Sequence, residues 1–133
     1  MAEYGGNILL DQGFKNVWQD GKIVGFQVRV LISYYRGVPF SLIGGYDIEV
    51  DGELFTSDQV NFSVDGVNFY TLEELGPKID EVWEYGVKAY LRVNKIGGLK
   101  RGLHDVKVVS RVDVPYMGPV PITTYQSRKM TVV

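Results

Sequence analysis

The run FQVRVLISY, residues 26–34, decides the fold class. Phe26, Val28, Val30, Ile32 and Tyr34 share one parity; Gln27, Arg29, Leu31, Ser33 and Tyr35 take the other. Successive side chains of a strand point to opposite faces, so this alternation predicts a half-buried strand reaching Tyr34. The same period of two recurs in Tyr46-Ile48-Val50, Val60-Phe62-Val64, Val87-Ala89-Leu91-Val93, and Val106, Val108 and Val112. Opposite these stand Asp47, Glu49, Gln59, Asn61, Lys88 and Arg92. Between apolar-patterned runs lie Asp20-Gly21, Asp51-Gly52 and Asp65-Gly66, which readily supply the positive φ of tight hairpins. GGLKRG, residues 97–102, predicts a longer hairpin connection. TLEELGP, residues 71–77, has a capping box in Thr71 and Glu74, but Gly76-Pro77 stops any helix after about one turn. The expectation is a single all-β domain over residues 1–133, an antiparallel β-sandwich of about eight to ten short strands with very little helix.

Composition narrows the function. Sixteen acidic against fourteen basic residues leave a net charge of -2, without the clustered cations that nucleic acid or an anionic membrane surface requires. With no cysteine, thiol catalysis, disulfides and Cys-zinc sites are excluded. The start, MAEYGGNILLDQG, lacks a basic segment and a long apolar run, so no signal peptide is expected. No stretch approaches the ~20 apolar residues of a membrane span. The expected setting is the cytoplasm.

Catalytic material is scarce. His104, the only histidine, shares its parity with Val106 and Val108, which predicts an inward, structural group with a possible near-site position. Asp47 and Glu49 lie two apart on one strand face, where a solvated surface explains them better than paired acid–base work. Glu81 and Glu84 read the same way. No nucleophile elbow, P-loop or dinucleotide fingerprint occurs. No residue of this chain is assigned as catalytic or metal-binding.

Three aromatic segments break the strand pattern: SYYRGVPFSLIGG (33–45), VWEYG (82–86) and VPYMGPVPI (114–122). They are rich in the residue types favoured at protein interfaces. The candidate partner-facing residues are Tyr34, Tyr35, Arg36, Pro39, Phe40, Trp83, Tyr85, Tyr116 and Met117. The competing explanation is that these aromatics plug the ends of the sandwich.

Taken together, NVWQDGKIVGFQVRVLISYYRGVPFSLIGGYDIEVDGE (16–53), VWEYG, GGLKRGLHDV (97–106) and PYMGP (115–119) resemble the small, or beta, subunit of the C-glycoside deglycosidases. The most specific parts are YYRGVPFS and the Gly-Gly-Leu…Gly-x-His turn. The resemblance implies a β-sandwich that binds a larger, TIM-barrel alpha subunit carrying a divalent metal, usually manganese, and the catalytic histidine. It further implies bacterial breakdown of plant flavonoid C-glucosides by a carbon–carbon lyase-type elimination. In the 3-oxo-C-glucoside the ketone acidifies the hydrogen on C2, and a base removes it as the C1–aryl bond breaks. The isolated chain is then expected to be inactive, with no cofactor of its own, meeting the 3-oxo-glucoside only through the complex. Two alternatives remain open on the residues. A free-standing carbohydrate-binding module would stack sugar on Trp83 or Trp18, whereas an independent epimerase or lyase would need His104 with a carboxylate or metal.

Overall fold

The computed structural model describes residues 3–113 and 121–133, the side chains of Glu3 and Tyr4 excepted. Asp20 and Gly21 have φ of 52° and 77°, and Asp51 and Gly52 have 50° and 88°. Positive φ at both central residues makes tight turns whose twist matches the flanking strands. The first joins β2 (Leu9–Gln19) to β3 (Lys22–Val30), and the second joins β5 (Ile43–Val50) to β6 (Glu53–Phe55). Around these hairpins are β1 (Glu3–Gly5), β4 (Val38–Pro39), β7 (Val60–Ser63), β8 (Val82–Trp83), β9 (Ala89–Asn94), β10 (Gly102–Val112) and β11 (Ile122–Val132). One helical turn, α1 (Leu72–Leu75), carries the expected capping box: Thr71 accepts from the Glu74 amide while Glu74 accepts from the Thr71 amide.

One sheet runs β1-β11-β10-β5-β6, a second runs β2-β3-β9-β7, and β4 with β8 forms a separate ribbon. All pairings are antiparallel except β1 with β11. The inward parity residues meet between the sheets. Phe26 sits edge-on to Phe55 at 5.3 Å, and Tyr46 stacks on Phe62 at 6.2 Å. Val28, Val30, Ile48, Leu91, Val106 and Val108 fill the space between, each fully buried and contributing about 1.5–3 kcal/mol of transfer free energy. The sheets are tied along one side by Gln126 of β11, whose side-chain oxygen accepts the amides of Ile8 and Leu9 at 2.8 and 2.7 Å. The all-β expectation holds. Eleven strands are described, more than expected, because pairings of two or three residues add β1, β4, β6 and β8.

Three local expectations fail. The strand begun at Lys22 stops at Val30 rather than Tyr34: the Leu31 amide turns to the Ile8 carbonyl, and Ser33 pairs with Ser110 across the sandwich. GGLKRG joins no hairpin but carries the chain from β9 in one sheet to β10 in the other. Asp65-Gly66 likewise closes no hairpin. Its carboxylate accepts the amides of Val67 and Asn68 and the Ser63 hydroxyl, a side-chain turn that leaves Asp65 more acidic than usual. Among the described residues no helix is long and apolar enough to cross a membrane.

The connections gather at two ends. At the turn end, the crossover 95–101 meets both Asp-Gly turns: Gly97 donates to Ile23, Lys95 pairs with Glu53, and His104 reaches Asp51. At the ribbon end lie residues 31–42 and the β4–β8 ribbon.

Candidate functional site

Pairing of Val38 with Trp83 and of Pro39 with Val82 brings YYRGVPFS against VWEYG, although they lie far apart in sequence. The Phe40 and Ser41 amides extend the contact by donating to Glu81 and Lys78 carbonyls at 2.8 and 3.2 Å. A side chain added at Gly37 would sit 3.6 Å from the Glu84 Cα, so Arg36 and Tyr85 leave the ribbon as neighbouring tails.

The ribbon divides the aromatics into two sets. Trp83 is 0% exposed; its indole N–H donates to the Val87 carbonyl at 2.8 Å, and its ring meets Phe62 edge-on at 5.2 Å. Phe40 packs on the other side of the same cluster, 5.5 Å from Phe62. Placing Trp83 and Phe40 on a partner-facing surface is therefore corrected: both plug the sandwich, because pairing of β4 with β8 folds them inward. Pro39 is half-buried between them and the surface. The outer set is Tyr35, 69% exposed, Tyr85, 65% exposed, and Arg36, whose guanidinium lies 5.6 Å over the Tyr35 ring. Tyr34, half-buried, backs Tyr35 at 4.4 Å. Tyr116 and Met117 lie outside the described residues. Beside the outer set, Ile8, Ile32, Tyr34, Tyr35 and Ile122 line an open cavity of about 410 Å³. Sequence reasoning missed the exposed Ile79 and Val82 at this end, because the strand that turns Val82 outward is only two residues long.

His104 lies at the opposite end, 8% exposed, on the face of Val106 and Val108. Its Nδ1 is 2.6 Å from an Asp51 carboxylate oxygen, its Nε2 is 2.6 Å from the Lys100 carbonyl oxygen, and Phe14 packs edge-on at 6.1 Å. A carbonyl only accepts, so Nε2 carries a proton. The Asp51 carboxylate, also an acceptor, favours a proton on Nδ1 as well, and so stabilises the imidazolium form. Burial pulls the His104 pKa down, but the Lys100 carbonyl and Asp51 together outweigh it and hold the group above its ordinary value. Asp51 is correspondingly more acidic, chiefly through its bond to His104 and the Asp105 amide. The Asp51 partner, 53 residues away, left no local signal.

Both nitrogens of His104 are thus committed to protein acceptors and offer no lone pair to a metal. Among the described residues no three His, Asp or Glu side chains converge on a common point. The other carboxylates are tied into structure. Asp47 accepts from Arg111 and from the Ser57 amide, pinning the turn after β6 to the sheet, and Glu81 pairs with Lys78 at 3.1 Å. Trp18, unlike Trp83, stands in solvent at 64% exposure. Sugar stacking on Trp83 is thereby ruled out by geometry.

Tyr35, Arg36 and Tyr85 thus form an exposed patch beside a ribbon whose other face is core. Known proteins show what the chain is similar to. A protein from Eubacterium cellulosolvens named C-glycoside deglycosidase beta subunit is 34% identical over 114 residues, covering 85% of this chain and 77% of that protein. A second protein of that name, from Microbacterium trichothecenolyticum, is 34% identical over 56 residues, 42% of each chain. The family model described as C-glycoside deglycosidase beta subunit matches residues 4–116, which span both ends of the sandwich, and the chain belongs to that family.

Proposed function

We propose that this chain is the non-catalytic small subunit of a heteromeric C-glycoside deglycosidase and docks its larger partner through the ribbon end. The observation that carries the docking surface is the exposed Tyr35–Arg36–Tyr85 cluster, set on a ribbon whose other face is core. Family membership over residues 4–116 supports the subunit role. The reaction of the complex is elimination across C1 and C2 of a 3-oxo-C-glucoside, with flavonoid C-glucosides as the substrate class. The base belongs to the alpha subunit, a TIM-barrel protein, as does the divalent metal, usually manganese, that would hold the enolate. The described residues of the present chain do not fit such a metal, because the only histidine is saturated by Asp51 and Lys100. Its contribution is to position and cover the partner's site and to exclude water.

The test is association of purified chain with its alpha subunit. Arg36→Ala and Tyr35→Ala should each weaken binding by roughly thirtyfold, on the order of 2 kcal/mol, with melting of the isolated chain unchanged. Wild-type affinity in both variants would refute the ribbon end as the docking surface. Turnover of a 3-oxo-C-glucoside by the isolated chain would refute the division of labour.

A further inference from the structure

At the turn end, Lys15, Trp18, Ile23, Arg92, Arg101 and Val133 line a groove of about 590 Å³. We infer that this groove is a second docking site, which takes an acidic polypeptide segment from another subunit of the assembly. The inference rests on the subunit role proposed above, but on none of the ribbon-end residues.

The charges come first. The chain carries a net charge of -2, yet three cations border this groove with no Asp or Glu among the lining residues. Among the described residues none of the three enters an ion pair; the pairs formed elsewhere use Lys78, Lys95, His104, Arg111, Arg128 and Lys129. Arg92 is also held in place. Its Nε donates to the Gln27 side-chain oxygen at 3.1 Å, and its guanidinium lies 4.3 Å over the Phe69 ring. The remaining edge of this planar fork suits a carboxylate. Partial desolvation makes Arg92 a less stable cation than usual, a cost that an incoming anion offsets.

The groove walls are rigid. Asn16 binds both the carbonyl and the amide of Leu99, each at 2.8 Å, and His104 holds the Lys100 carbonyl, so Arg101 follows a crossover pinned on two sides. Preorganisation of this kind lowers the entropy lost on binding. Trp18 adds an apolar plane beside the cations and pairs in register with Ile23.

The lining decides the occupant. Trp18, 64% exposed, stands beside two arginines and a lysine. Exposed tryptophan with arginine is the composition of a protein-contact hot spot. Because the groove and the ribbon occupy opposite ends, one chain can engage two neighbours at once.

The chain has two tryptophans, one exposed and one fully buried, which supplies the assay. Labelled with 5-fluorotryptophan, it gives separate 19F signals, and the shift between H2O and D2O reports solvent contact at Trp18 while Trp83 reports the fold. On assembly with the alpha subunit, the Trp18 solvent shift should disappear. In the Lys15→Glu/Arg101→Glu variant it should persist, and the order of the assembly should drop, with affinity at the groove down at least about tenfold at low salt. The Trp83 signal and pairing through the ribbon should be unaffected. Trp18 remaining solvent-exposed in a formed complex overturns the groove proposal alone, as does unchanged assembly by the charge-reversed variant. Loss of the Trp18 solvent shift with glucose alone would assign the groove to sugar and overturn it. Failure of the wild-type chain to form any complex refutes the subunit role and this proposal with it.

Discussion

Replacing Trp83 separates a core role from a contact role. In Trp83→Ala the sandwich loses a fully buried indole, its edge contact with Phe62 and the donor to the Val87 carbonyl. Deletion of a buried tryptophan side chain costs about 3–5 kcal/mol, which includes the cavity left behind. At ~2.1 cal/mol/K per residue, a chain of this length unfolds with an entropy of about 0.28 kcal/mol/K, so Tm should fall by roughly 11–18 °C. Trp83→Phe keeps most of the ring but strands the Val87 carbonyl, costing ~1–3 kcal/mol or roughly 4–11 °C. Calorimetric melts of the isolated chain should therefore rank wild type above Phe above Ala. Association with the alpha subunit, corrected for the folded fraction, should change little. A Trp83→Ala chain melting within about 3 °C of wild type would refute the core placement.

Two further perturbations probe the interior. His104, held above its ordinary pKa, contributes stability that is complete below ~6.5 and is lost as pH rises through its folded value. Tm of the wild type should decline across that window while His104→Gln stays flat, and parallel curves would contradict an imidazolium at this position. The Tyr46 hydroxyl is buried without a hydrogen-bond partner of good geometry, although Ser110 is close enough to temper the rise that burial imposes on its pKa. Tyr46→Phe should be neutral or stabilising by up to about 1 kcal/mol, and a clear loss of Tm would show a bond that the geometry lacks.

The sheets were legible because period two survives wherever a long strand has one wet and one dry face, as at Val106-Val108 or Leu91-Val93. The ribbon was not. A two-residue strand has no period, so nothing in VWEYG distinguishes the inward Trp83 from the outward Tyr85. Trp18 lies in a long strand, but register shifts, one of them at Val17/Trp18, break its period, so residue type alone could not separate it from Trp83. Asp-Gly was read as a hairpin three times, but the dipeptide also serves a side-chain turn, and Asp65 with Ser63 and Asn68 took that course. Connection length cannot say which sheet receives the next strand, and so GGLKRG was misjudged. The burial of His104 followed from its parity, but its charge state required Asp51 and Lys100 to be seen together.

The seam at Gln126 sets a clock on maturation. The amides of Ile8 and Leu9 wait for a side chain 118 and 117 residues downstream, and β1 waits for Thr123–Tyr125. At ~5–20 residues per second a ribosome needs roughly 6–24 s to cover that distance, far longer than a hairpin takes to form. The two hairpins can thus close while the chain is still being made, whereas the leading strand cannot. Ile122 and Thr124 also wall the cavity beside Tyr35, so the surface at the ribbon end is finished last. A truncated nascent chain would present the tyrosines and the arginine without their wall. Completion of β11 therefore closes the ribbon-end surface by joining two segments that lie at opposite ends of the sequence.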